Sequence, residues 1–282
     1  MASSLIEKIK VLRERTGAGM MDCKAALLAN NEDIEASIDW LREKGIAKVA
    51  KKSSRIAAEG LTSVKAEGDK AVVLEVNSET DFVANSPAFK ELVNNVADEV
   101  LAGKSKEDLA PLFTEATIKI GEKLDYRRSE VFTKTASQNF GAYIHMGGKI
   151  SVLVLLEGGS EELAKGLAMH IAANNPLYIS EKDIPADAIE AEKRVQTEAA
   201  KNDEKLAGKP EAALAKIIEG KVNKHFAESV LLKQEYLLDP KPISQVLTEN
   251  KATVVKFVRY QVGEGIEKKV ENFAEEVAAQ MK

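Results

Sequence analysis

The stretch from Val72 to Val93, VVLEVNSETDFVANSPAFKELV, restricts the fold more than any other part of this chain. Val72, Leu74 and Val76 alternate with Val73, Glu75 and Asn77, the period-two pattern of a strand that ends in polar residues. Ser86 followed by Pro87 reads as an N-cap and first helical residue. Beyond it, Phe89, Leu92, Val93, Val96 and Val100 recur at helical spacing. A short connection, Ser78-Glu79-Thr80-Asp81-Phe82, is therefore held between two ordered elements and carries an acid beside an aromatic. Two readings of that pair stand open. In one, Phe82 anchors the connection to its own core and Asp81 caps a turn. In the other, a rigidly presented aromatic fills a partner's pocket, while the carboxylate competes for a polar group there.

The rest of the chain is long enough for two domains and alternates between helical and extended patterns. Ser4 and Glu7 form a capping-box pattern ahead of Leu5, Ile9 and Leu12; a second short helix spans about Met21 to Leu28. Asn31 is a candidate cap for a third, bearing Ile34, Ile38 and Leu41, with Gly45 as its expected stop. Three short helices make a small bundle that gains from docking on something larger. Lys48 to Arg55 reads as a basic linker. Strands follow at Leu61–Ala66 and Ala71–Val76 around a Glu67-Gly68-Asp69 turn, and again at Arg127–Thr135, Phe140–His145 and Ile150–Leu156. A helix from near Ser105 is compatible with Pro111 only if that proline lies in the opening turn or marks a break.

Helical spacing returns through Leu163, Leu167 and Ile171, and Ile184-Pro185 marks a boundary. The alanine-rich, charged runs Asp187–Glu204 and Glu211–Phe226 read as two antiparallel helices, exposed, and either a partner surface or a tolerated insertion. Val254 to Tyr260 completes a sheet, and Gly263-Glu264-Gly265 leads to a terminal helix bearing Ile266, Val270, Phe273 and Val277.

Composition excludes several classes. Forty basic residues stand against 45 acidic ones, and no basic stripe is interleaved with aromatics, so direct nucleic-acid binding is disfavoured. A single cysteine, Cys23, rules out an internal disulfide framework and multi-cysteine metal sites. Beside Lys24 it can be a low-pKa thiolate or a small core residue, and the core reading is the better supported. No secretory signal or bilayer-length apolar run is present, which implies a cytoplasmic protein without membrane contact. Both phosphate-loop and dinucleotide fingerprints are missing. His145, His170 and His225 fall in different elements with no zinc-like spacing; His170 reads as structural, and His145 as a turn residue or a partner contact. Glu79 and Asp81 lack further ligands for a metal. No catalytic residue, cofactor or metal is expected.

Thr80-Asp81-Phe82-Val83-Ala84 resembles a motif of the bacterial elongation factor Ts family, guanine nucleotide exchange factors for elongation factor Tu. The resemblance extends to Leu12 through Lys24, to Ile171-Ala172-Ala173-Asn174-Asn175-Pro176 and to Phe257 through Gly265, in the expected order. It implies an α+β multidomain fold. A ubiquitin-associated-like three-helix module with its linker would occupy residues 1–55 and a core N-subdomain 56–140. A core C-subdomain would span 141–186 and 227–264, interrupted by an antiparallel coiled-coil hairpin at 187–226; both subdomains would carry antiparallel sheets. A helical module would close the chain at 265–282.

The resemblance further implies that Thr80, Asp81, Phe82 and Val83 form the exchange turn. Phe82 would enter an apolar pocket beside the GTPase switch region, while Asp81 disturbs the magnesium and phosphate site. Lys24 would contact the nucleotide domain and His145 the GTPase's other domains. Homo-association through the hairpin or core is a further expectation. Ser78 departs from the cysteine common before this motif, and His145-Met146-Gly147-Gly148 diverges in its middle.

Overall fold

The computed structural model describes residues 4–16, 18–203, 206 and 209–267, and the terminal helical module expected at 265–282 lies outside them beyond residue 267. Among the described residues there are ten α-helices and six strands, in an α+β arrangement with two three-stranded antiparallel sheets. Two compact units partition the chain. Of the described residues, the first takes those in Met1–Ser63, Leu74–Glu130 and Tyr260–Lys282, and the second those in Val64–Val73 and Val131–Arg259.

In the first unit, α1 (Leu5–Thr16), α2 (Met20–Ala29) and α3 (Ile34–Lys52) enclose a small core of Leu12, Cys23, Ala26 and Leu27. Cys23 is a core residue, and burial raises its thiol pKa. Two sequence expectations fail in this bundle. Asn31 does not cap α3: Asn31 and Glu32 both take positive φ, and the Asp33 carboxylate accepts the Ala36 N–H at 2.8 Å instead. Gly45 does not stop α3, which runs seven residues further to Lys52. A Cβ there would lie 2.5 Å from Ile118 Cδ1 on α6 (Lys106–Ile120), so the glycine serves the close approach of two packed helices.

Along α6, Pro111 sits in the second turn without ending the helix. Its missing N–H leaves the Glu107 carbonyl without an intrahelical donor; that carbonyl lies in the exposed first turn, where water can supply one. A Ser105–Asp108 capping box fixes the start and Gly121, at φ 88°, the stop.

The sheet order β1 (Glu59–Glu67), β2 (Lys70–Ser78), β3 (Asp125–Thr133) makes β2 central, and from Ala71 to Ser78 it is buried throughout. Glu75 is drawn into this burial with its partners. It accepts from Arg127, Arg128, Asn77 Nδ2 and the Gly263 N–H. After β2 come α4 (Asp81–Asn85) and α5 (Pro87–Leu101), whose stripe of Phe89, Leu92, Val93, Val96 and Val100 is buried as its spacing predicts. Full burial of each such side chain stabilises by about 1.5–3 kcal/mol.

The second unit is built on β4 (Gln138–His145), β5 (Ile150–Glu157) and β6 (Thr253–Gln261), in that order, with β4 and β5 paired from Gln138↔Glu157 to His145↔Ile150. Val152, Val154 and Leu156 of β5 meet Leu167 and Ile171 of α7 (Glu161–Asn174) and Val246 and Leu247 of α10 (Ile243–Glu249) in one core. Gly141 lets α7 lie on β4, because a Cβ there would strike the Ala164 carbonyl. His170 is buried: Leu237 N–H donates to its Nδ1 at 3.2 Å, which leaves Nε2–H to donate to Gln234 Oε1 at 2.8 Å. It is structural, as expected. The helices α8 (Ala186–Lys201) and α9 (Glu211–Ala227) pack on each other through Ala200, Ile218 and Val222. His225 near the end of α9 approaches Glu192 in the first half of α8 at 3.6 Å, while Ala200 near the end of α8 packs with Ile218 and Val222 further back along α9, so the pair is antiparallel.

Candidate functional site

Strand β2 ends at Ser78, and the chain turns at once into the five-residue helix α4. What read as an irregular connection is a single helical turn with its own cap. Thr80 Oγ1 accepts the Val83 N–H at 3.3 Å, and Asn85 Nδ2 donates to the Asp81 carbonyl at 2.9 Å. Ser86 closes α4 and opens α5: its hydroxyl donates to the Val83 carbonyl at 2.7 Å and accepts the Phe89 N–H at 3.3 Å. Ser86 is the single residue between this turn and α5.

On this turn Phe82 is 85% exposed and Asp81 is exposed beside it. With so little of the ring in contact with its own chain, the self-anchoring reading fails for Phe82. Val83 is half-buried, and Ala84 is buried, seating the turn.

Two reciprocal contacts fix the base of the turn within the same unit. Thr80 donates both its N–H and its hydroxyl to the Glu122 carboxylate, at 3.0 and 2.6 Å. In return, the Glu79 carboxylate accepts the Lys123 N–H at 2.6 Å and pairs with Arg55 at 3.1 Å. Lys123 Nζ donates to the Arg55 carbonyl at 2.7 Å. Ser78, buried, donates to the Thr80 carbonyl at 2.9 Å. The buried serine thus takes a structural part where thiol chemistry is impossible. Hydrogen bonds to charged acceptors contribute roughly 1.5–3 kcal/mol each when shielded, less for half-buried groups such as these.

The other expected site residues lie elsewhere. Lys24 is exposed on α2, on one face with the exposed Met21 and Leu28. Neither apolar residue is singled out by the sequence reading. The available signal was a helix apolar on both sides, since Cys23, Ala26 and Leu27 already fill its core face. His145 belongs to the second unit, at the end of β4, where its Nδ1 lies 3.1 Å from the Tyr143 hydroxyl. Glu122 has no local signal in the sequence because its partner Thr80 is 42 residues away, and Glu79, weighed there only as a metal ligand, instead takes the Lys123 N–H 44 residues on.

Among the described residues no group of three or more His, Cys, Asp or Glu could hold a metal, and no helix is long and apolar enough to cross a membrane. The arrangement holds an exposed aromatic and an exposed carboxylate on a braced turn. Residues 79–264 match the family model described as Elongation factor TS. The chain therefore belongs to the elongation factor Ts family, nucleotide exchange factors that act on elongation factor Tu during translation elongation.

Proposed function

We propose that this chain binds elongation factor Tu–GDP and promotes GDP release through the turn from Thr80 to Val83. Phe82 enters an apolar pocket beside the GTPase switch region, and Asp81 disturbs polar contacts at the magnesium and phosphate site. Weakened charge compensation then lets GDP leave. GTP binding displaces the factor, because linkage requires nucleotide and factor to weaken each other by the same factor. No covalent step is involved.

The observation that carries this reading is the 85% exposure of Phe82 on a turn capped at both ends. Lys24 meets the nucleotide domain from α2, with Met21 and Leu28 beside it, and His145 meets the GTPase's other domains. The chain acts without nucleic acid or membrane, in the cytoplasm. The packing of α1 to α3 supports a ubiquitin-associated-like module at 1–55. Likewise, the pairing of α8 with α9 supports an inserted coiled-coil hairpin at 187–226, a candidate for homo-association. The two core subdomains are then 56–140 and, around the hairpin, 141–186 with 227–264.

Release of a fluorescent GDP analogue from purified elongation factor Tu, with excess unlabelled nucleotide and increasing amounts of this protein, tests the function. Concentration-dependent acceleration is expected. Binding without acceleration would overturn exchange in favour of a scaffold.

A further inference from the structure

An exposed aromatic works as a wedge only if it is ordered before it meets its target; otherwise ordering must be paid for on binding. In this chain that order comes from outside the motif. Thr80 is the cap of α4, and its hydroxyl does two jobs at once: Oγ1 accepts from Val83 and donates to Glu122. The Glu122 carboxylate thereby selects the rotamer in which Thr80 can cap, and its second oxygen takes the Thr80 N–H. Immediately beside it, Glu79 receives the Lys123 N–H, so two adjacent residues on each side exchange side-chain and main-chain bonds. Arg55, just past the end of α3, donates to Glu79 and accepts the Lys123 ammonium on its carbonyl, closing the arrangement. Gly121, in a left-handed conformation, stops α6 and directs Glu122 out of the helix.

We infer that Glu122 is a positioning residue for nucleotide exchange, acting through Thr80 to hold the Asp81–Phe82 turn in its working orientation. This rests on the reading of that turn as the exchange element. Glu122 lies 40 residues from Phe82 in sequence and needs no contact with the GTPase. Its contribution is to the order of the turn, so its loss lowers release of GDP from the docked complex more than it lowers docking itself.

The test uses the full chain with Glu122→Ala, Glu122→Gln, Phe82→Ala and the double variant Phe82→Ala/Glu122→Ala. In the free protein, Glu122→Ala is expected to speed amide hydrogen exchange at Thr80, Val83 and Ala84 and to leave the β2 amides at wild-type rates. In fluorescent-GDP release from elongation factor Tu, it is expected to lower the rate at saturating factor by about three- to tenfold, the size of effect that freezing one or two mobile side chains produces. Glu122→Gln, which keeps an acceptor, should recover part of that loss. In the Phe82→Ala background, Glu122→Ala should cost nothing further, because the wedge it positions is gone.

An equal loss in both backgrounds, or unaltered amide exchange in the turn, overturns the positioning role. Should Glu122→Ala not fold, Glu122→Gln, which weakens the same two bonds to Thr80, takes its place in both arms with smaller expected effects. The hydrogen-exchange arm requires no GTPase. Wild-type protein that fails to accelerate release would therefore sink the exchange reading while leaving the bracing of the turn to be judged separately.

Discussion

Arg128 Nε donates to the Glu75 carboxylate at 2.6 Å, and that carboxylate has no exposed surface. The second oxygen accepts from Arg127 at 3.0 Å, from Asn77 at 3.1 Å and from the Gly263 N–H at 2.8 Å. Arg128 also lies over the Tyr260 ring, 4.2 Å from its centroid, while Arg127 donates to the Glu264 carbonyl. One carboxylate on β2 thus gathers β3 and the turn after β6 within the first unit.

Glu75→Ala should therefore destabilise that unit by about 3 kcal/mol, the lower end of the cost of breaking a buried ion pair. The lower end applies because Arg127 and Arg128 remain about a quarter exposed and can rehydrate. Urea unfolding of the variant measures it; a loss under 1 kcal/mol would show the carboxylate to be dispensable.

Phe82→Ala should alter stability by no more than about 0.5 kcal/mol, since the ring packs on almost nothing in the free protein. GDP release should nevertheless fall by at least about tenfold, the cost of removing a well-seated aromatic from an interface. Thermal unfolding and release kinetics on the same samples separate the two effects. Near-wild-type release would refute the wedge.

Asp81→Asn keeps the shape of the turn and removes its charge. Docking should change little, while stimulated GDP release slows and loses part of its dependence on magnesium. Release measured across a magnesium series decides; identical curves for both proteins would place Asp81 away from the metal site.

Gly141→Ala should cost about 1–3 kcal/mol or more, because the added methyl meets main chain of α7 and cannot be accommodated by a rotamer change. Chemical denaturation reads this directly. An unchanged midpoint would mean that α7 slides on β4 at little cost.

His170 gives the second unit a pH dependence of known sign. Burial lowers its pKa, opposed by the Gln234 hydrogen bond, so the folded protein holds the ring neutral where the unfolded chain takes up a proton. Its stabilisation is complete above the ordinary histidine value of about 6.5 and is lost as pH falls through the lower folded pKa, with a slope of up to about 1.4 kcal/mol per pH unit. Comparing wild type with His170→Gln from pH 7.5 to 5 should show this extra slope only in the wild type.

Local signals made the framework readable: alternating residues predicted β2, and Ser86-Pro87 with its apolar stripe predicted α5. Misreadings arose where a residue's purpose lay far along the chain. Gly45 resembles a helix stop because glycine usually is one, but its use is contact with Ile118, seventy-three positions away. Asn31 lost the cap to Asp33 because two residues of left-handed backbone delay the start of α3. For the site, the sequence singled out Asp81 and Phe82 but not the bracing by Glu122, which no nearby pattern announces. Thr80 was visible as part of a motif, yet its capping of so short a helix left no periodicity to detect.

Ser86 joins α4 to α5 with one hydroxyl bonded to each helix. A protein that pries open another must absorb an equal recoil. In the proposed mechanism a load on Phe82 would pass through that serine into a fifteen-residue helix whose apolar face is buried in the core. On that mechanism this chain would be the stiffer body, and the yielding would fall to the GTPase.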